Sequence, residues 1–302
     1  MLNLLHISDL HFGPYFVPHV AEALVAKLHS LDADLLINSG DLTQRARREQ
    51  FAEAREYLNR LPQLPGVVVP GNHDVPLFRV TERLFSPYEL YREYISKDLD
   101  MVLHHDKAVI VALNSTSPRR AIVNGRIQPW QLDLCSEAFR DAAPDQLRIV
   151  VAHHHFAPAP DYEGSQVMPH SKRVLDCFTE LKVDMIFGGH LHRAYIGNSL
   201  DVYPGVDREH GIIIVQSGTS TSRRGRARER EKNSFNYIQV GSDIVRVTHY
   251  MYFHDIGSFE PISRHIFPRV GNHYLTDMPA TLRNTQEARR DSDLKSEPVT
   301  RA

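Results

Sequence analysis

Six short apolar runs dominate the first part of this chain: Leu4-Leu5-His6-Ile7, Leu35-Leu36-Ile37, Val67-Val68-Val69, Val109 to Leu113, Ile149 to Ala152 and Met185-Ile186-Phe187. Each has the length of a strand and is apolar on both faces, as a strand must be when its sheet is covered on both sides. Between the first two runs Val20, Leu24, Leu28 and Leu31 recur at helical spacing, and between the next two Phe51, Ala54, Leu58 and Leu61 do the same. Strand alternating with helix demands crossover connections and a largely parallel sheet, whose loops at the carboxyl ends of the strands are the usual place for a site. Helices are also predicted over Pro129 to Arg140 and Ser171 to Lys182. In contrast, Gly211 to Gln216, Tyr237 to Val240 and Ile244 to Phe253 read as strands with no helix between them. A more antiparallel second half follows, and with it two sheets rather than one. One domain over residues 1–270 is expected, followed by a polar, mobile tail over residues 271–302, where the apolar periodicity disappears.

An apolar fraction of 42% over 302 residues is enough for a sizeable core. The formal net charge of -2 gives no global attraction to nucleic acid or to an anionic membrane, and no nucleic-acid-binding module is evident. Cys135 and Cys177 have no close-spaced partner, which argues against a disulfide framework or a thiolate metal site and fits a reducing cytoplasm. The segment Leu2 to Ser8 lacks the basic lead and cleavage site of a signal peptide, and no stretch is long enough to span a bilayer.

Most of the apolar runs stop at a cluster rich in Asp and His: Asp9-Leu10-His11, Gly40-Asp41, Gly71-Asn72-His73-Asp74, His153-His154-His155 and Gly189-His190-Leu191-His192. Mixed carboxylate and imidazole donors suit Mn, Fe, Co, Ni or Zn, whereas Mg is usually content with carboxylates and water. Asp9 and His11 are two residues apart, so a strand continuing through them would turn both to one face and onto one ion. His190 and His192 repeat that spacing after Gly188 and Gly189, whose missing side chains allow unusual backbone angles and close approach. An aspartate on a Gly-Asp turn suits the bridge of a two-metal centre, one carboxylate oxygen to each ion, which makes Asp41 the candidate. Asn72 offers a neutral oxygen ligand, and His73 with Asp74 reads as an acid and its orienter facing substrate. Taken singly, each cluster is also an ordinary turn or a solvated loop; in this order, each behind a strand, they are not.

Together these residues resemble the calcineurin-like metallophosphoesterase superfamily, whose pattern is D-x-H, G-D, G-N-H-D/E, H and G-H-x-H. The wording Ile7-Ser8-Asp9-Leu10-His11, Val69-Pro70-Gly71-Asn72-His73-Asp74 and Gly188-Gly189-His190-Leu191-His192 is similar to the bacterial class III cyclic-nucleotide phosphodiesterases. The motifs cover residues 7–192, and the implied fold extends to about residue 255. That fold is an α/β four-layer αββα sandwich, two mixed sheets flanked by helices. The resemblance implies two divalent or mixed-valence transition-metal ions, one on Asp9, His11, Asp41 and His192 and the other on Asp41, Asn72, His153 and His190. His73 would be the substrate-side acid. The family often has His then Pro after the fourth-motif histidine; here His155-Phe156 precedes Ala157-Pro158, so His154 stays an alternative to His153.

The activity implied is hydrolysis of a small phosphate ester by water or hydroxide held between the metals and attacking phosphorus in line, with phosphodiesters and cyclic nucleotides foremost. Phosphomonoesterase, nucleotide pyrophosphatase and nuclease activities share the same core. A scaffold that had lost catalysis would be expected to lose ligands, and this chain has them all. Substrate selection points to Asn114 at its strand end, which also reads as a turn residue, and to Arg223 and Arg224 in the basic stretch Thr221 to Lys232. That stretch is either a clamp on a charged phosphate or a solvated hairpin loop.

Overall fold

The computed structural model describes residues 1–120, 123–158, 167–202, 211–224 and 232–269. The expected tail and most of the basic stretch lie outside these residues. Two six-stranded mixed sheets pack face to face, with helices on both outer faces.

In the first sheet β1 (Leu2–Ile7), β2 (Leu35–Asn38) and β3 (Gly66–Val68) run parallel, joined by α1 (Pro18–Ser30) and α2 (Arg48–Leu58). The antiparallel strands β10 (Ser234–Val240), β11 (Ile244–Phe253) and β12 (Ser258–Pro268) continue this sheet on the other side of β1. The late strands therefore complete the first sheet instead of forming the second, because β2 occupies only one edge of β1. The second sheet is built on the parallel strands β5 (Ala108–Leu113), β6 (Leu147–Ala152), β7 (Met185–Gly188) and β9 (Ile213–Gln216). Its edges are the antiparallel β4 (Met101–His105) and β8 (Tyr195–Asn198). The helices α5 (Pro129–Arg140) and α6 (Ser171–Glu180) cross over on its outer face. Two shorter helices, α3 (Val80–Phe85) and α4 (Glu89–Tyr94), follow the third polar cluster.

Alternation along β1 shows how the layers form. Leu2 and Leu4 enter the apolar layer between the sheets with Ile110, Val151 and Phe187, whereas Leu5 and Ile7 face outward onto Leu24 and Phe51 of α1 and α2. Burying a side chain of this size is worth about 1.5–3 kcal/mol, so a one-residue slip of register is strongly disfavoured. His6 lies on the inner side, fully buried, with Nε2 2.9 Å from Ser39 Oγ and its ring edge-on to Phe187. No helix among the described residues is long and apolar enough to cross a membrane. Both cysteines are free, and burial pushes the Cys135 thiol up to about 12.

Candidate metal centre

All five polar clusters come together where the carboxyl ends of β1, β2 and β3 meet those of β6 and β7. The chain reaches this point through tight turns. Asp9, His11, Asp41, His190 and His192 all have positive φ, between 50° and 72°, a region that costs an ordinary L-residue about 1 kcal/mol. Asp9 and His11 thus converge through left-handed turns after β1 has ended, not through the pleat of a continuing strand. Gly189 is needed for proximity: a Cβ there would lie 2.0 Å from Ser8 Oγ and 2.4 Å from Asp9 Oδ2. A Cβ on Gly71 would lie 2.1 Å from Asp41 Oδ1.

Asp9, His11, Asp41 and His192 form one buried quartet whose donor atoms all lie within 4.8 Å of one another. Asp9 Oδ2 accepts from Ser8 Oγ at 2.7 Å and from the His190 N–H at 3.1 Å, so Oδ1 is left for the quartet, 3.4 Å from His11 Nε2 and 3.2 Å from His192 Nε2. His192 Nδ1 donates to the Arg224 carbonyl at 2.9 Å, which directs the Nε2 lone pair inward, 3.0 Å from His11 Nε2. Asp9 Oδ1 and Asp41 Oδ2 are buried and accept no hydrogen bond. Two carboxylate oxygens and two imidazole nitrogens converging in a dry site fit a divalent cation, and little else satisfies them.

A second group lies beside the first. Asn72 Oδ1 is 2.8 Å from His190 Nδ1 and 3.2 Å from His153 Nε2, and His153 Nε2 is 3.3 Å from Asp41 Oδ2. His153 Nδ1 is anchored by the Ser39 carbonyl at 2.8 Å. His154 has its Nδ1 2.8 Å from Ser115 Oγ and its ring 4.7 Å from that of His190, while the nitrogen that approaches Asn72 and Asp41 is His153 Nε2. Asp41 stands between the two groups, but not as the sequence suggested. Its Oδ1 accepts the His73 N–H at 2.8 Å, leaving Oδ2 alone to face both His11, at 3.7 Å, and His153. A bridge made by Asp41 would use one oxygen, not two.

The electrostatics record the same demand for positive charge. Burial alone would raise Asp9, yet the His11 and His192 imidazoles set against it hold its carboxyl well below the usual range. Asp41 is likewise held low against its burial, chiefly by the charge of His153. Burial lowers His153, but the Asp41 carboxylate outweighs it and lifts the imidazole to about 9. Burial drives His11 down to about 4.

The pairing of His73 with Asp74 is corrected by the structure. Asp74 is buried with its carboxylate taking N–H bonds from Leu42, Thr43 and Gly71 at 2.8–3.1 Å and the Thr43 hydroxyl at 3.0 Å. It ties the second and third clusters together and does not orient an imidazole. Burial and the Asp41 charge push it to about 7, against those N–H bonds. His73 is oriented instead by the Gln44 carbonyl, 3.0 Å from Nδ1. Burial holds its pKa below the ordinary value, and the Arg224 charge adds to that.

The other substrate candidates separate. Asn114 is a turn residue: its Oδ1 accepts from the Thr116 N–H and hydroxyl at 3.0 and 2.7 Å. Its side of the strand end borders a cavity of about 450 Å³ with Tyr88, Asp100 and Trp130. Arg223 is exposed, while Arg224 lies with its Nη1 2.9 Å from His73 Nε2. Sequence reasoning passed over the hydroxyl-rich stretch after β9. Ser217, Thr219, Ser220, Thr221 and Ser222 are all fully buried, and they lash this segment to the first cluster through Ser220 N–Ser8 O and Thr221 Oγ1–Leu10 O bonds of 3.0 and 2.9 Å. The available signal was a polar run behind an apolar one, as in the other five clusters.

Comparison with known proteins agrees with this geometry. The chain is 27% identical over 222 residues to a probable cyclic nucleotide phosphodiesterase from Synechococcus, an alignment covering 68% of this chain and 79% of that protein. Among solved structures it resembles the purple acid phosphatase PPD1 of yellow lupin, with a TM-score of 0.64 and 13% identity over 89% of this chain and 54% of that one. It also resembles a dimetal phosphatase from Danio rerio, with a TM-score of 0.61 and 11% identity over 89% and 99% of the two chains. These two likenesses concern the fold alone. The family model for calcineurin-like phosphoesterases matches residues 2–194, a stretch that holds every residue of both donor groups, and the chain belongs to that family.

Proposed function

We propose that this protein is a dinuclear metal-dependent hydrolase of phosphodiester bonds in small molecules, with 3′,5′-cyclic nucleotides as the leading substrate class. The observation that carries the proposal is the second donor group, Asp41 Oδ2, Asn72 Oδ1, His153 Nε2 and His190 Nδ1, set directly against the first quartet and sharing Asp41 with it. Asp9, His11, Asp41 and His192 would hold one ion, and Asp41, Asn72, His153 and His190 the other. Two divalent ions would supply an activated water and neutralise charge on the phosphoryl oxygens. The chain's part is to fix the donors. Ser8 and the His190 N–H orient Asp9, Ser39 orients His153, and the Arg224 carbonyl orients His192. The substrate class is supported by the Synechococcus relative's description.

The test is turnover after loading with manganese, iron, zinc, cobalt or nickel, comparing bis-nitrophenyl phosphate, nitrophenyl phosphate and cyclic nucleotides with elemental analysis alongside. Two metals per chain and faster diester than monoester hydrolysis are expected. One metal or none, or monoester preference, would refute the respective part.

A further inference from the structure

We propose that the cavity between β8 and the strands β10, β11 and β12 is a separate metal site, which takes one soft monovalent ion, copper(I), on His249 Nε2, the His265 imidazole and the Met251 thioether. None of these residues belongs to either donor group described above, and the inference stands whether or not the chain hydrolyses phosphate esters.

Sheet register brings the three donors to one cavity of about 300 Å³. His249 and Met251 are two residues apart on β11, so they point to the same side of the sheet, the inner side that Val245 and Val247 occupy further along. On β12, Ser263 lies opposite His249 and His265 opposite Val247, which puts His265 diagonal to His249 on that side. Diagonal neighbours sit about 7–8 Å apart, within reach of long side chains, and two imidazoles extended from such positions can meet on one ion. The inner layer is thus apolar along most of these strands and changes to His, Met and Ser at this end.

His249 is prepared as a ligand by its neighbour on β10. Its Nδ1 lies 2.8 Å from Asn236 Oδ1, and an amide oxygen only accepts, so Nδ1 carries the ring proton. Asn236 is turned this way from its other end, where Nδ2 faces His6 Nδ1 at 3.4 Å. With the proton directed toward β10, Nε2 bears its lone pair on the opposite edge of the ring, toward β12 and His265. Metal-binding imidazoles are held in this manner, one nitrogen donating to a fixed oxygen and the other left for the ion. Burial, with His265 adding, drives His249 down to about 4, so no proton competes for Nε2 at neutral pH. His265 Nε2 is 3.4 Å from Ser263 Oγ, a contact too long to hold that nitrogen strongly.

The wall of the cavity selects the kind of ion. Among the described residues that line it there is no carboxylate, and its one charged side chain, Lys232, is exposed to water. A divalent ion on neutral donors in a half-buried place would keep its charge uncompensated, and a monovalent ion keeps least. A thioether beside imidazoles is a soft donor set that suits copper(I), whereas the carboxylate-bearing quartet suits harder divalent ions. The two sites therefore sort metals by chemistry.

That sorting supplies the test. Manganese-loaded protein is titrated under nitrogen with copper(I) in ascorbate, bicinchoninate serving as a coloured competing chelator, and both metals are then measured per chain. Wild type should withhold one copper(I) per chain from the chelator while its manganese content stays unchanged. His265→Ala removes a half-buried ligand and Met251→Leu keeps the side-chain volume, so both variants should fold, checked by circular dichroism. Each should weaken copper(I) binding at least ~10-fold, the scale on which even a group supporting a ligand is felt, and leave manganese content as in wild type.

Copper(I) left entirely with the chelator would overturn the inference. So would wild-type copper(I) affinity in either folded variant, or copper(I) uptake matched by an equal release of manganese, which would place the ion in the dinuclear centre instead.

Discussion

The substitution that most directly tests the shared carboxylate is Gly71→Ala, because it changes no charge and removes no donor. Gly71 has φ near -100°, which alanine adopts freely, so no backbone strain is introduced. The new Cβ would lie 2.1 Å from Asp41 Oδ1, 2.5 Å from the Asp41 backbone nitrogen and 2.7 Å from its carboxyl carbon. An unstrained carbon–oxygen contact needs roughly 3.3–3.6 Å, so the carboxylate must retreat by more than ~1 Å. Ligand positions in metal sites tolerate only about 0.2 Å, and disturbing a supporting group commonly costs about 10- to 100-fold in affinity. The Asp41 carboxylate belongs to both donor groups, so both ions should weaken together and by at least that factor. The assay is competitive manganese titration with far-ultraviolet circular dichroism as a check on folding. A folded Gly71→Ala protein that keeps full stoichiometry and affinity would refute the argument that Asp41 is the shared ligand.

Asp41→Asn should abolish binding of both ions, measured as metal per chain after dialysis, whereas Asp74→Asn should leave metal content intact and lower unfolding stability, since Asp74 ties loops rather than holding a ligand. Charge reversal is expected to discriminate the neighbouring arginines: Arg224→Glu should raise KM for anionic substrates at least tenfold, and exposed Arg223→Glu should leave it within about twofold. His249 is buried, bonded to Asn236 Oδ1 at 2.8 Å, and driven down to about 4 by burial with His265 adding. A base depressed on folding stabilises above its unfolded value and loses that contribution as pH falls; between pH 6.5 and 5 wild type should lose up to ~2 kcal/mol more unfolding free energy than His249→Gln in urea titrations. Cys135, buried with a thiol near pKa 12, should resist alkylation at pH 8 in the folded protein, while half-buried Cys177 should react faster, read by peptide mass mapping.

The central elements were legible because their signals are long or redundant. Alternation of apolar runs with helical stripes gave β1, β2, β3, β5, β6, β7, α1, α2, α5 and α6 within a few residues. The pairing of β10 with β1 was not legible, since nothing local to either strand names its partner. β4 and β8 escaped notice because edge strands are only half covered and carry His and Tyr where central strands carry Val and Ile. β12 was hidden by Pro261, which sits where the ladder with β11 skips a residue beside His249 and Tyr250. In the site, motif spacing picked out residues that the fold brings together but not the groups that hold them in place. Ser39, Gln44 and the Arg224 carbonyl act through backbone atoms or single hydroxyls, which leave no trace in side-chain chemistry. The misreading of Asp74 has the same origin: adjacency to His73 in sequence was taken as contact, whereas the short turn over Asn72–Asp74 sends the two side chains to different neighbours.

The left-handed backbone at Asp9, His11, Asp41, His190 and His192 sets two demands against each other. Five such residues forfeit roughly 5 kcal/mol together, a sum on the scale of a whole domain's stability of about 5–15 kcal/mol. A glycine at any of these positions would relieve the strain and remove a donor side chain in the same step, so at these five places backbone comfort and the donor set cannot be improved together.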